Sequence, residues 1–159
     1  VAELVRLDAG GVAPDFTLPD QDGRPFTLSS TRGSKTILYF YGEASTPACT
    51  TQACDFRDNL DLLSKAGYRV IGISRDRLED NQRFAHEEEL TQVILSDPER
   101  EVHALYGTFG EKQMYGRTVM GVIRATFVLD EDGVIVMPLY NIKATGHVAM
   151  LLKRLKLAA

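Results

Sequence analysis

The sequence has no apolar run longer than Ile37–Tyr41, far short of the roughly twenty residues a membrane-spanning helix requires. It also lacks a basic surplus. Lys and Arg total 18 against 22 Asp and Glu, and the net charge of -4 is spread along the chain. A nucleic-acid surface would need a basic face, so that class of partner is excluded, as is a membrane. Only two cysteines occur in 159 residues, too few for a disulfide framework in a chain long enough to bury its own core. No internal repeat, low-complexity run or linker divides the chain, which reads as one domain over residues 1–159. The N-terminus shows no basic-then-apolar leader, which points to a cytoplasmic protein, although the start at Val1 leaves room for a removed leader.

Several motifs are absent as well. There is no phosphate loop, no glycine-rich dinucleotide fingerprint and no Gly-x-Ser-x-Gly elbow. His86, His103 and His147 are scattered, and His86-Glu87-Glu88-Glu89 has no second histidine, so no zinc motif is formed. These histidines read as solvated or capping residues, and Glu87–Glu89 as a wet helix face.

What is present is an ordinary globular composition, 44% hydrophobic and 25% charged. Phe16-Thr17-Leu18 and Phe26-Thr27-Leu28 flank Asp20-Gln21-Asp22-Gly23, the pattern of a β-hairpin. Lys35–Tyr41 reads as a buried central strand. Ala53, Phe56, Leu60 and Leu63 recur at helical spacing and predict one helix from about Pro47 to Ala66, ended by Gly67. A strand over Tyr68–Ser74 follows, then a polar helix to about Leu90 with Asp76 as its candidate cap. Next come a strand over Gln92–Leu95 and a short helix reaching Leu105. Val122–Leu129 and Val134–Leu139 enclose Asp130-Glu131-Asp132-Gly133, a second hairpin. A last helix from about Thr145 buries Val148, Leu151, Leu152 and Leu155, with Lys153, Arg154 and Lys156 at its negative end. The order β-α-β then β-β-α predicts an α/β, thioredoxin-like fold: a mixed sheet flanked by helices, with an N-terminal hairpin.

The chemistry concentrates at Thr46-Pro47-Ala48-Cys49. Threonine is a good helix N-cap and proline is favoured at the first helical position. Cys49 then falls in the first turn, where unpaired N–H groups and the positive dipole end stabilise a thiolate. A free thiol with a pKa of about 8.5 is ~3% ionised at pH 7; lowering it to about 6 raises the reactive fraction roughly thirty-fold, or about 2 kcal/mol. That gain is modest, so other groups must act on the substrate itself. The alternative is an inert buried thiol.

Cys54 lies five residues on, grouped with Arg57, Asp58 and Asp61 on the polar side of the same helix. In an intact helix the two Cα atoms stand about 8.6 Å apart, and a disulfide tolerates no more than about 7 Å. A bond between them therefore requires the first turns to unwind; otherwise Cys54 is a surface thiol without a partner. Arg124 sits in Val122–Leu129, flanked by apolar residues that read as a core strand. A guanidinium there needs an anion, which a thiolate or a developing alkoxide would supply; a solvent-reaching or carboxylate-paired arginine is the other possibility.

Taken together, these residues resemble the peroxiredoxin family, in its peroxiredoxin Q or bacterioferritin-comigratory-protein branch. The resemblance runs through Ala13–Leu18, Asp20–Gly23, Thr46–Thr50, Ala53–Asp58, Lys112–Gly116, Ile123–Phe127 and Lys143–His147, nearly the whole chain. It implies a thioredoxin fold and peroxidase activity without metal, haem or flavin cofactors. It further implies Cys49 as peroxidatic cysteine, Thr46 as the hydroxyl orienting the peroxide, and Arg124 as the group that holds the thiolate and polarises the O–O bond. Cys54 would be the resolving cysteine of the same subunit, with thioredoxin reducing the disulfide; a monomer suffices for that cycle. In one respect the chain departs from the family: Gly42 stands where the pattern has proline, which implies a freer loop and a less preorganised pocket. Met114-Tyr115 reads either as a flap over the site or as packing. Two rivals are a thioredoxin-like disulfide exchanger, disfavoured by the Cys-x-x-x-x-Cys spacing, and a non-catalytic thioredoxin-fold binding module.

Overall fold

The computed structural model describes residues 6–157, and of Gln113 and Met114 the backbone alone. Its centre is a mixed five-stranded sheet of order β5-β4-β3-β8-β9, formed by β3 (Lys35–Phe40), β4 (Tyr68–Ser74), β5 (Val93–Ser96), β8 (Ala125–Leu129) and β9 (Ile135–Tyr140). β3 pairs in parallel with β4 and antiparallel with β8, which makes it the middle strand. Its composition suits that place, because both faces of a central strand must be apolar. Ile37, Tyr39 and Tyr41 enter one core cluster, and Leu38 and Phe40 enter the other.

On the first face lie α1 (Pro47–Asp58), α2 (Leu60–Lys65), α3 (Leu78–Glu87) and α5 (His147–Arg154). They contribute Ala53, Phe56, Leu63, Phe84, Val148 and Leu151 to the core. On the second face, α4 (Glu101–Tyr106) and the segment around the N-terminal hairpin β1 (Thr17–Pro19) and β2 (Pro25–Thr27) supply Val102, Tyr106, Phe16 and Leu28. This is the expected thioredoxin-like arrangement with its N-terminal hairpin, paired in the register Thr17↔Thr27.

Three expected elements need correction, and one hairpin is new. The helix expected over 47–66 is two helices, broken at Asn59, whose side-chain amide donates to the Asp55 carbonyl at 2.7 Å while its N–H turns back to Phe56 O. Such side-chain competition for backbone groups interrupts the i→i−4 ladder. Asp76 does not cap α3; Arg77 occupies the N-cap position, and Asp76 Oδ2 accepts the Ala44 N–H at 2.8 Å instead. The strand expected over Val122–Leu129 is interrupted, because Val122 closes the preceding strand (Arg117–Val122) and β8 opens at Ala125; Arg124 lies in the link. Finally, a hairpin unforeseen in the sequence, β6 (Phe109–Met114) with β7 (Arg117–Val122), turns at Tyr115-Gly116, both at positive φ of 54° and 76°. That is the two-residue turn matched to strand twist.

The histidines are corrected too. His86 is exposed, but His103 is fully buried beside Asp97, with Nδ1 2.7 Å from Oδ2, and His147 is buried with Nε2 2.9 Å from Thr126 Oγ1. Among the described residues no helix is long and apolar enough to cross a membrane.

Candidate active site

Residues 42–46, between β3 and α1, carry the chain from the sheet into the first turn of α1. Thr46 takes the extended N-cap conformation and Pro47 opens the helix, as Thr-Pro at a helix start dictates. Thr46 does not cap with its side chain; the hydroxyl donates to the Glu43 carbonyl at 2.8 Å and closes the loop on itself. Ser45 is left-handed at φ 63°, and Asp76 holds the Ala44 N–H from the neighbouring strand end. The freedom expected from Gly42 is thus offset by bonds on the residues after it.

Cys49 is 2% exposed on the apolar face of α1, aligned with Gln52, Ala53 and Phe56. Two donors converge on its sulfur: Arg124 Nη2 at 3.1 Å and the Glu43 N–H at 3.5 Å. Burial of the sulfur opposes ionisation, but the Glu43 N–H and the Arg124 guanidinium outweigh it. The net effect holds the Cys49 thiol below its ordinary pKa. The first turn of α1 contains no acidic side chain to weaken the helix-end field.

Arg124 reaches this point from the β7–β8 link, which is pinned by Ile123 N–H to Thr108 O and Ile142 N–H to Arg124 O. Its second arm donates to Gln52 Oε1, one helical turn beyond Cys49. Gln52 escaped sequence reasoning because glutamine on a helix carries no signal of its own; only its burial, at 0% exposure, reveals a partner. The guanidinium is therefore aimed by the same helix that presents the thiol.

Cys54 is half-buried on the other side of α1, and both thiols are free. The structure does not bring it to Cys49: α1 runs unbroken from Pro47 to Asp58. Burial raises the Cys54 pKa, and Glu88, Asp58 and Asp55 add to this against Arg57. One helix thus carries a thiol inclined to ionise and another inclined to keep its proton. His147, behind Arg124, is lowered to about 4 by burial and by the guanidinium, so it is neutral at pH 7.

Above Cys49 a cleft of about 390 Å³ opens between the 42–46 loop and the β6–β7 hairpin. Thr46, Arg75, Lys112 and Arg124 line it with polar groups, and Val119, Met120 and Val122 with apolar ones. The hairpin is thus a wall of the site. Tyr115 at its tip is 98% exposed, and the Met114 side chain lies outside the described ones. Gly42 borders the floor, where a Cβ would stand 3.9 Å from the Cys49 sulfur, an ordinary contact. Among the described residues no group of three or more His, Cys, Asp or Glu is arranged to hold a metal ion.

A model of the AhpC/TSA family matches residues 9–137. Peroxiredoxin Bcp of Escherichia coli strain K12 is 44% identical over 150 residues, covering 94% of this chain and 96% of that protein. A protein of Mycobacterium tuberculosis strain H37Rv, also named as a peroxiredoxin, is 56% identical over 151 residues, covering 95% and 96%. Among solved structures, the bacterioferritin comigratory protein of Xanthomonas campestris, described by its alkyl peroxide reduction activity, superposes with a TM-score of 0.85 at 32% identity. That match covers 94% of this chain and 98% of the other. Peroxidoxin BcpB of Mycobacterium tuberculosis gives 0.83 at 31% identity, over 97% and 99%.

Proposed function

This chain belongs to the AhpC/TSA family, among the peroxiredoxins of the Bcp and PrxQ type, and on that footing we propose how its residues perform thiol peroxidase chemistry. The Cys49 thiolate attacks the terminal oxygen of a hydroperoxide. The O–O bond breaks, Cys49 becomes a sulfenic acid, and the leaving oxygen takes up a proton to depart as water or an alcohol. Arg124 stabilises both the thiolate and the negative charge that develops on the leaving oxygen. The Thr46 hydroxyl orients the peroxide.

In the second step α1 opens and the Cys54 sulfur attacks Cys49, forming a disulfide within the subunit and expelling the sulfenic oxygen as water. A dithiol reductant such as thioredoxin then reduces that disulfide by exchange and is itself oxidised. The volume and apolar wall of the cleft suit organic hydroperoxides beside hydrogen peroxide, in keeping with the alkyl peroxide activity of the Xanthomonas relative.

The observation that carries this reading is the 3.1 Å contact between Arg124 and a buried thiol in the first turn of α1. The test is peroxide consumption coupled to thioredoxin, its reductase and NADPH. Cys49→Ser should abolish turnover, whereas Cys54→Ser should keep the first oxidation and lose thioredoxin-supported cycling. Full activity in Cys49→Ser would overturn the assignment of Cys49; normal cycling in Cys54→Ser would overturn only its resolving role.

A further inference from the structure

Opening α1 between Cys49 and Cys54 means breaking a tie that comes from outside the helix. Gln92, at the entry to β5 and 3% exposed, directs its amide nitrogen to two acceptors: the Ala53 carbonyl at 2.9 Å and the Tyr39 hydroxyl at 3.2 Å. Ala53 immediately precedes Cys54, within the stretch that must unwind. The amide can sit only this way round, because its oxygen turned toward Ala53 would face another acceptor. Tyr39 stacks on Phe56 of α1 with ring centroids 4.5 Å apart, so both contacts bind the same part of the helix to the sheet.

The base of this tie is rigid. Gln21 Nε2 donates to the Gln92 carbonyl at 2.9 Å, and Gln21 Oε1 accepts the Ile94 N–H at 2.9 Å. Gln92 Oε1, by contrast, is buried with no partner among the described residues.

We propose that Gln92 is a positioning residue, a latch that sets how often α1 opens and so how the Cys49 sulfenic acid is partitioned. The inference rests on the Cys49–Cys54 pathway proposed above. While the latch is closed, a second hydroperoxide can transfer one oxygen to the sulfenic sulfur, giving the sulfinic acid and leaving as water or alcohol. Once the latch releases, the Cys54 sulfur displaces the sulfenic oxygen as water and the disulfide forms.

The experiment uses Gln92→Met, which keeps the volume and removes both donors together with the stranded acceptor. Tyr39→Phe, which removes one of the two bonds, is the second variant should Gln92→Met fold poorly. Amide exchange over residues 50–58 of the reduced protein should be about five-fold faster in Gln92→Met, the factor one net hydrogen bond supplies. The sulfinic acid formed per turnover in excess peroxide should fall by a similar factor, with the first oxidation rate and its pH profile unchanged. A general loss of stability would not shift that partition. In a Cys54→Ser background the sulfinic yield should not respond to Gln92→Met. Unchanged exchange and an unchanged sulfinic yield, in a protein that forms the disulfide, would overturn the latch. A wild-type chain that forms no Cys49–Cys54 disulfide would instead overturn the pathway, leaving the exchange rates alone to decide for or against the latch.

Discussion

At the scale of single residues, the reactivity proposed for Cys49 comes from opposing influences on one sulfur. Burial of Cys49 would keep its proton on, and the donors around it reverse that balance. In the proposed chemistry Arg124 matters twice, because the guanidinium that contacts the sulfur would also face the leaving oxygen. In the wild type the second-order rate with peroxide should rise with pH through the lowered thiol pKa and then level off. Arg124→Gln should move that rise to higher pH and cut the rate at pH 7 by about 100-fold or more. Stopped-flow oxidation followed across pH provides the measurement; superimposable profiles for the two proteins would refute the role. Gly42 borders the same sulfur. The space beside it would admit a side chain, and the loop after it is already tied down by Thr46 and Asp76.

At the scale of elements, the proposed cycle requires α1 to be both well packed and able to open. Its apolar face is anchored through Phe56 on Tyr39, and Tyr39 in turn lies over Gly72 of β4. A Cβ at Gly72 would come within 2.6 Å of Tyr39 Cζ, so this glycine is required by the close approach of a ring. Gly72→Ala should therefore destabilise the protein by about 1–3 kcal/mol through overpacking, read as a lower urea midpoint. An unchanged midpoint would mean the ring has room to withdraw. The break at Asn59 separates α1 from α2, so unwinding beside the cysteines need not propagate into the packed Leu63.

At the scale of the whole molecule, stability depends on groups the chemistry does not use. His147 is buried, with a folded-state pKa of about 4 against an ordinary 6.5. The unfolded chain then takes up a proton through pH 6.5 that the folded chain resists until about pH 4. Native stability must fall as pH drops across that window, by at most about 1.4 kcal/mol per pH unit. Urea denaturation at pH 7.0 and 4.5 should show the wild type losing about 1–3 kcal/mol more than His147→Gln. Equal losses would show that His147 titrates normally.

Local pattern alone determined much of this protein. The mostly apolar run Lys35–Tyr41 could only be a strand covered on both faces, and Thr46-Pro47 before an amphipathic stretch could only start a helix, which puts Cys49 in its first turn. The helical spacing of the two cysteines already forbade their bond in the closed helix. Other features were decided by tertiary structure. The Arg124 contacts with Cys49 and Gln52 join residues 75 and 72 positions apart, and the Gln92 tie to Ala53 spans 39. No local periodicity encodes such pairs, because they arise from how strands are ordered across the sheet. The β6–β7 hairpin was illegible for a different reason: Tyr115-Gly116 lacks the Asn-Gly signature of its turn. His103 and His147 read in the sequence as solvated or capping residues because burial of a histidine depends on a distant partner, Asp97 for one and Thr126 for the other. Sequence placed Cys49 on its helix; the packing of sheet against helix decided which groups aim at its sulfur and which tie that helix to the sheet.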